Sequence, residues 1–211
     1  MTQIDLREGI VETVRALTAH NLNRGTAGNV SARWNEGFLV TPTGLGCDEM
    51  QPGDVVPMAM DGNWEGARKP SSEWRFHRDI YAARPEAGAV VHTHAPFATA
   101  LACLRADIPP FHYMIARFGG ATVRCAAYAT FGTQALSDAA LAALEGRCAC
   151  LLANHGMLAF GRDLRQALDL AVEFESLCEQ YWRALQIGRP VLLSDAEMET
   201  VLEKFRTYGQ Q

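Results

Sequence analysis

Val90-Val91-His92-Thr93-His94 is a short apolar run that ends in two histidines two residues apart. Residues i and i+2 of a β-strand share one face, so a strand here delivers both imidazoles to the same side. Two such nitrogens are half of a metal site, although histidines so spaced also occur as hydrogen-bonded core or surface residues. Arg84-Pro85-Glu86 ends a helix before the strand, and Ala95-Pro96 opens another after it. A proline fits a helix's first turn, where its missing N–H is not needed. Helix, buried strand, helix makes the chain α/β.

Outward from that centre, Lys69-Pro70-Ser71-Ser72-Glu73 reads as the start of the preceding helix, with either serine able to cap it. The following helix covers residues 97–104. Further on, the spacing predicts a strand over 148–152, the turn Asn154-His155-Gly156, and a second strand over 157–160. At the N-terminal end, Ile4, Leu6, Ile10, Val14 and Leu17 recur mostly three or four apart and predict an amphipathic helix over residues 3–22, with its cap in the 21–25 segment. Two small-residue loops follow it, around Gly28-Asn29 and Thr43-Gly44, and Asp61-Gly62 carries a hairpin signal. A strand is expected over 123–126 and a helix over 134–144. The long helix runs over 164–187 with Leu168, Ala171, Phe174, Cys178 and Tyr181 on one stripe. Ser194-Asp195-Ala196-Glu197 has a capping signature for a last helix. The pattern predicts a single α/β domain over residues 1–211, with a central, mainly antiparallel or mixed β-sheet flanked by helices.

Composition sets limits on function. With 211 residues, 48% hydrophobic and 20% charged, the chain is an ordinary globular domain, and its net charge of -5 does not suit a general nucleic-acid or anionic-membrane surface. No apolar run is long enough to span a bilayer. The N-terminus lacks a basic stretch followed by an apolar one, so a cytoplasmic location is expected. The six cysteines form no zinc-ribbon pair and read as reduced, small hydrophobic residues.

The chemistry gathers on a few residues. His155 ends a separate apolar strand and can join His92 and His94, and three neutral imidazoles with one open position is the usual layout of catalytic zinc. Glu73, placed in a helix's first turn, is a candidate fourth ligand or base. Ser71 and Ser72 offer hydroxyls and N–H groups to an anion. His77, inside a helix, and His112, in a proline-stiffened segment, are read as structural.

The set GTAGNVSAR (25–33), TPTG (41–44), KPSSEWRFH (69–77), VVHTHAPFATAL (90–101), YATFGT (128–133) and NHG (154–156) resembles the class II aldolase/adducin family. Within it, the likeness is nearest to the bacterial L-fuculose-1-phosphate aldolases, over nearly the whole chain. The resemblance implies a three-layer fold, a cytoplasmic homotetramer, and metal-dependent cleavage of a ketose 1-phosphate to dihydroxyacetone phosphate and an aldehyde. It implies Zn2+, with Mn2+ or Co2+ as alternatives, held by His92, His94, His155 and Glu73, the last also serving as acid/base. Gly28, Asn29, Thr43, Gly44, Ser71 and Ser72 would hold the phosphate. Tyr113 would reach a neighbouring subunit's site as proton donor. Phe131, Phe205 and Tyr208 would shape the aldehyde end, the last two from a mobile tail beginning near 205. Asn154 and the Ala116-Arg117-Phe118 segment depart from the family pattern and leave the aldehyde open between L-fuculose 1-phosphate and a 5-deoxypentulose or 5-methylthioribulose 1-phosphate. Sugar-phosphate 4-epimerases, decarboxylases and adducin-like interaction domains share the scaffold and are the competing readings.

Overall fold

The computed structural model describes residues 2–207. Helix α1 (Gln3–Ala19) starts at a capping box between Thr2 and Asp5. It stops three residues short of the expected end, because Asn21 takes a left-handed conformation (φ 59°). The amides of Asn21 and Leu22 then return to the carbonyls of Thr18 and Leu17, the paired reversal that commonly closes a helix.

Strands β1 (Asn29–Trp34), β2 (Gly37–Val40) and β3 (Val56–Ala59) follow, then α2 (Trp74–Ala83), β4 (Ala89–Thr93) and α3 (Pro96–Ala102). After a 3-10 turn at Tyr113–Phe118 come β5 (Cys125–Ala126), α4 (Gln134–Ala143), β6 (Ala149–Leu152), β7 (Gly156–Gly161), α5 (Leu164–Ile187) and α6 (Asp195–Thr207). The seven strands make one sheet in the order β3-β2-β1-β4-β7-β6-β5. Neighbouring strands are antiparallel except for the parallel pair β5–β6, so the mixed sheet expected from the sequence is present.

β4, the strand with the two histidines, lies at the centre. It pairs β1 on one side, with Asn29 opposite His92, and β7 on the other, with Leu158 opposite His92. Its residues alternate between two cores. Ala89 and Val91 face one core built with Ile10 and Leu17 of α1 and Phe174 and Cys178 of α5. Val90 faces the other, with Phe76 and Ile80 of α2 and Leu136 and Ala140 of α4. Helices on both faces give three layers. Val90 and Val91 are both fully buried, each contributing about 1.5–3 kcal/mol of apolar burial. That anchors the strand whose end carries the site.

The expected strand over 123–126 is reduced to Cys125–Ala126. Val123 instead bridges Ile108, and the Asp107 carboxylate accepts the Cys125 amide. At the other end of the chain, α6 continues through Phe205, where a tail was expected, and Phe205 packs against the first core. Tyr208 lies outside the described residues. All six cysteines are free thiols, with Cys150 and Cys178 buried. Among the described residues no helix is long and apolar enough to cross a membrane.

Candidate active site

The register of β4 turns His92 toward α2, where its ring meets the edge of Phe76 at 5.5 Å. His94 lies one residue past the strand. Its amide donates to the Asn23 side chain at 3.1 Å, which fixes the chain as it leaves the sheet. His155 comes from the tight β6–β7 turn. Asn154 there is left-handed (φ 54°), a conformation asparagine tolerates, and its side-chain oxygen accepts from Arg105 Nε at 2.6 Å. Gly156 is required next, because a Cβ at that position would lie 2.3 Å from the Thr93 carbonyl oxygen.

These three turns bring His92, His94 and His155 together, with candidate ligand atoms all within 4.8 Å of one another. Glu73 completes the group. Its Oε2 is 3.2 Å from His92 Nε2 and its Oε1 3.3 Å from His155 Nε2. Glu73 occupies the cap position of α2 rather than its first turn, since Ser71 Oγ accepts the Glu73 amide and the helix begins at Trp74. The side chain makes no capping bond and turns into the site instead.

The donors fit a divalent cation. His92 Nδ1 lies 2.9 Å from the Met157 carbonyl oxygen, which can only accept, so Nδ1 carries the proton and Nε2 presents a lone pair. His94 Nε2 stands 3.1 Å from that nitrogen. Among the described residues, no hydrogen-bond donor reaches the buried Glu73 Oε1. Lone pairs and a carboxylate oxygen that converge in this way call for a positive centre between them. Partial burial, with the cost of protonating a ring beside His92, pushes His94 and His155 down to about 4, so both are neutral imidazoles near pH 7. Burial by itself would raise Glu73, but His92, His155 and the Asn29 amide bring its carboxyl down to about 2, so it stays ionised.

The small-residue loops adjoin this centre. Gly28 (φ 75°) lies so close to Asn23 and to the His92 carbonyl that a Cβ would meet them at 2.4–2.6 Å. The 41–44 and 69–72 segments are joined by a Pro42–Pro70 bridge, by Ser71 N–H donating to Thr41 O and by Thr43 N–H donating to Lys69 O. Thr43, Gly44 and Ser72 are exposed there, and Gly28 is half-buried. Asn29 and Ser71 are buried and already engaged with Glu73, through Asn29 Nδ2 donating to Oε2 at 3.0 Å and Ser71 accepting the Glu73 amide. Phe131 is 65% exposed beside Gly132, which packs against the Ser72 carbonyl. Tyr113 is half exposed and stacks on His112; among the described residues it makes no hydrogen bond to Glu73 or the three histidines. His112 accepts the Met114 amide, and His77 is fully buried.

Two supporting residues gave no sequence signal. Asn23 sits in a segment that reads only as a helix end. Glu175 of α5 accepts the amides of Phe97 and Ala98, both at 2.8 Å, and so caps the helix that follows His94. An acid on the flank of an apolar stripe looks like a surface residue until its partner helix is placed.

Residues 8–182 match the model of the class II aldolase and adducin N-terminal domain. The chain belongs to the class II aldolase and adducin family. This member is 59% identical over 208 residues to a 5-methylthioribulose-1-phosphate/5-deoxyribulose-1-phosphate aldolase of Rhodospirillum rubrum, covering 99% of this chain and 94% of that one. It is 47% identical over 210 residues to the L-fuculose phosphate aldolase of Escherichia coli (strain K12), covering 99% and 98%. A solved L-fuculose 1-phosphate aldolase superposes with a TM-score of 0.92 at 41% identity, over 96% of each chain. The family and the three-layer fold expected from the motifs are therefore both present.

Proposed function

We propose that this class II aldolase reversibly cleaves a ketose 1-phosphate to dihydroxyacetone phosphate and an aldehyde, using a divalent cation. The observation that carries the reading is the ionised Glu73 carboxylate set within 3.3 Å of two of three convergent imidazoles. His92, His94, His155 and, at rest, Glu73 would hold the cation, with zinc first and manganese or cobalt as alternatives. When bound, it supplies Lewis-acid stabilisation of the negative charge left on the substrate oxygens by carbon–carbon cleavage.

The chain's own groups carry the protons. The C4 hydroxyl loses its proton, the C4 carbonyl forms, and the C3–C4 electron pair passes into the enediolate of dihydroxyacetone phosphate. Glu73 delivers a proton to C3 and removes it in the reverse direction. Tyr113 of an adjoining subunit takes the C4 hydroxyl proton, a role supported by its exposure on a surface turn. A homotetramer is part of this reading, and exposed Trp182, Ile187 and Val191 near the end of α5 suit a contact between subunits. Phosphate at the Gly28, Asn29, Thr43, Gly44, Ser71 and Ser72 loops supplies binding energy remote from the reacting carbons. Phe131, with Phe205 and Tyr208, would line the aldehyde end. The site is cytoplasmic in this reading, in keeping with a diffusible sugar phosphate. The higher identity to the relative named for 5-methylthioribulose and 5-deoxyribulose phosphates favours those substrates over L-fuculose 1-phosphate.

Metal-loaded protein offered L-fuculose, 5-methylthioribulose and 5-deoxyribulose 1-phosphates should release dihydroxyacetone phosphate from at least one, read by a coupled reductase. Release from none of them would overturn the aldolase reading. A narrower test isolates Tyr113. Tyr113→Phe should slow cleavage about 100-fold or more, as loss of a proton carrier does, while exchange of the dihydroxyacetone phosphate C3 proton with solvent persists. Equal loss of both would remove its specific role.

A further inference from the structure

We propose that Tyr81, Ser31 and His77 are positioning residues that hold the Asn29 amide in the one orientation in which it donates to Glu73. This rests on the proton-carrying role given to Glu73. The five side chains alternate between a helix and a strand. Glu73, His77 and Tyr81 are spaced by four along the start and body of α2, while Asn29 and Ser31 are two apart on β1. Four helical residues rise roughly 6.0 Å and two strand residues about 6.6 Å, so the two rows keep step.

Hydrogen-bond chemistry then gives the row a direction. A carboxylate only accepts, so the Asn29 NH2 faces Glu73 Oε2, at 3.0 Å. The amide oxygen therefore faces His77 Nε2, at 2.6 Å, and that nitrogen must carry the proton. Burial holds the imidazole neutral, with its pKa pushed down to about 3, which leaves Nδ1 as an acceptor. Ser31 Oγ lies 2.7 Å from Nδ1 and gives it its single proton. Tyr81 OH, 2.7 Å from the same oxygen, must then donate to Ser31. Arg33, the next residue on that face of β1, closes the row by stacking over the Tyr81 ring at 4.8 Å. Asn29 is 6% exposed, Tyr81 2%, and Ser31 and His77 0%, so water does not replace a missing member.

Removing the Ser31 hydroxyl leaves His77 Nδ1 without its donor and Tyr81 OH without its acceptor, so the ring is no longer pinned on that side. The ring then shifts within the space left, and the Asn29 amide it holds loses its fixed approach to the Glu73 carboxylate. Networks of this kind fix a geometry more than they add stability.

Nitrogen-15 NMR of the intact, histidine-labelled protein should show His77 protonated on Nε2 and bare on Nδ1 throughout the neutral range. The opposite tautomer would overturn the proposal, whether or not any ketose phosphate is cleaved, so its failure is distinct from failure of the aldolase reading. Ser31→Ala should keep the Nε2 proton, move the Nδ1 resonance to that of a ring nitrogen with no donor, and lower kcat roughly 10- to 100-fold, in line with disturbing a hydrogen bond to a charged group. Metal content should stay near the parent level, since His92, His94 and His155 lie outside the row. Ser31→Thr keeps the hydroxyl and should restore most of kcat. Tyr81→Phe, one link further from Glu73, should cost less than Ser31→Ala. Unchanged kcat in Ser31→Ala, or losses ranked by Tm rather than by distance along the row, would also overturn it.

Discussion

His155→Ala is expected to lower cleavage by roughly 1,000-fold or more, the equivalent of losing several kcal/mol of charge stabilisation at the reacting oxygens. The same variant should emerge from purification with little bound divalent metal. The reason lies in the donor set. His92 Nε2, His94 Nε2 and His155 Nε2 converge, and Glu73 Oε1 faces His155 at 3.3 Å with no hydrogen-bond donor among the described residues. Deleting one imidazole leaves two nitrogens and a carboxylate that are spaced around a missing fourth donor, which loosens the hold on the cation. His20→Ala, at the exposed end of α1, is the matched control and should behave as the parent. Elemental analysis and the coupled assay on both variants decide the matter. Full metal content and full activity in His155→Ala would move the centre elsewhere.

That triad was legible in the sequence for a physical reason. A strand's period of two puts His92 and His94 on one side, and a glycine after His155 marks a close approach of backbone to backbone. The mixed sheet followed from short strands interleaved with helices. Residues whose role depends on non-local register were not legible. Asn29 reads as part of a glycine loop suited to an anion, yet β1 pairs it with His92 and its amide is held between Glu73 and His77. His77 reads as a helix residue, and only the pairing of α2 with β1 shows what each ring nitrogen meets. The parallel β5–β6 pair and the shortened β5 likewise depend on contacts made by Asp107 and Ile108, far along the chain. The helix end at Asn21 was missed by a few residues because asparagine took the left-handed position that glycine usually fills.

Glu73→Gln should separate holding the metal from moving the proton. Glutamine keeps the length of the side chain and one carbonyl oxygen, which can still accept from Asn29 Nδ2 as Oε2 does. It cannot take up or release a proton near neutral pH. In the parent the carboxyl is held at about 2, so the resting group is fully ionised and ready to accept a proton once substrate alters its surroundings. The expected result is metal retained near the parent level through His92, His94 and His155, with exchange of the dihydroxyacetone phosphate C3 proton slowed about 100- to 10,000-fold, the range for loss of a general base. Cleavage should fall by a similar factor. Isotope exchange followed by proton NMR reads the first quantity and the coupled assay the second. Exchange at the parent rate would place the base on another residue. Loss of metal together with exchange would make Glu73 chiefly a ligand. Metal kept while exchange is lost, set beside metal lost in His155→Ala, assigns the two kinds of group to different tasks: the imidazoles hold the cation, and Glu73 carries the proton.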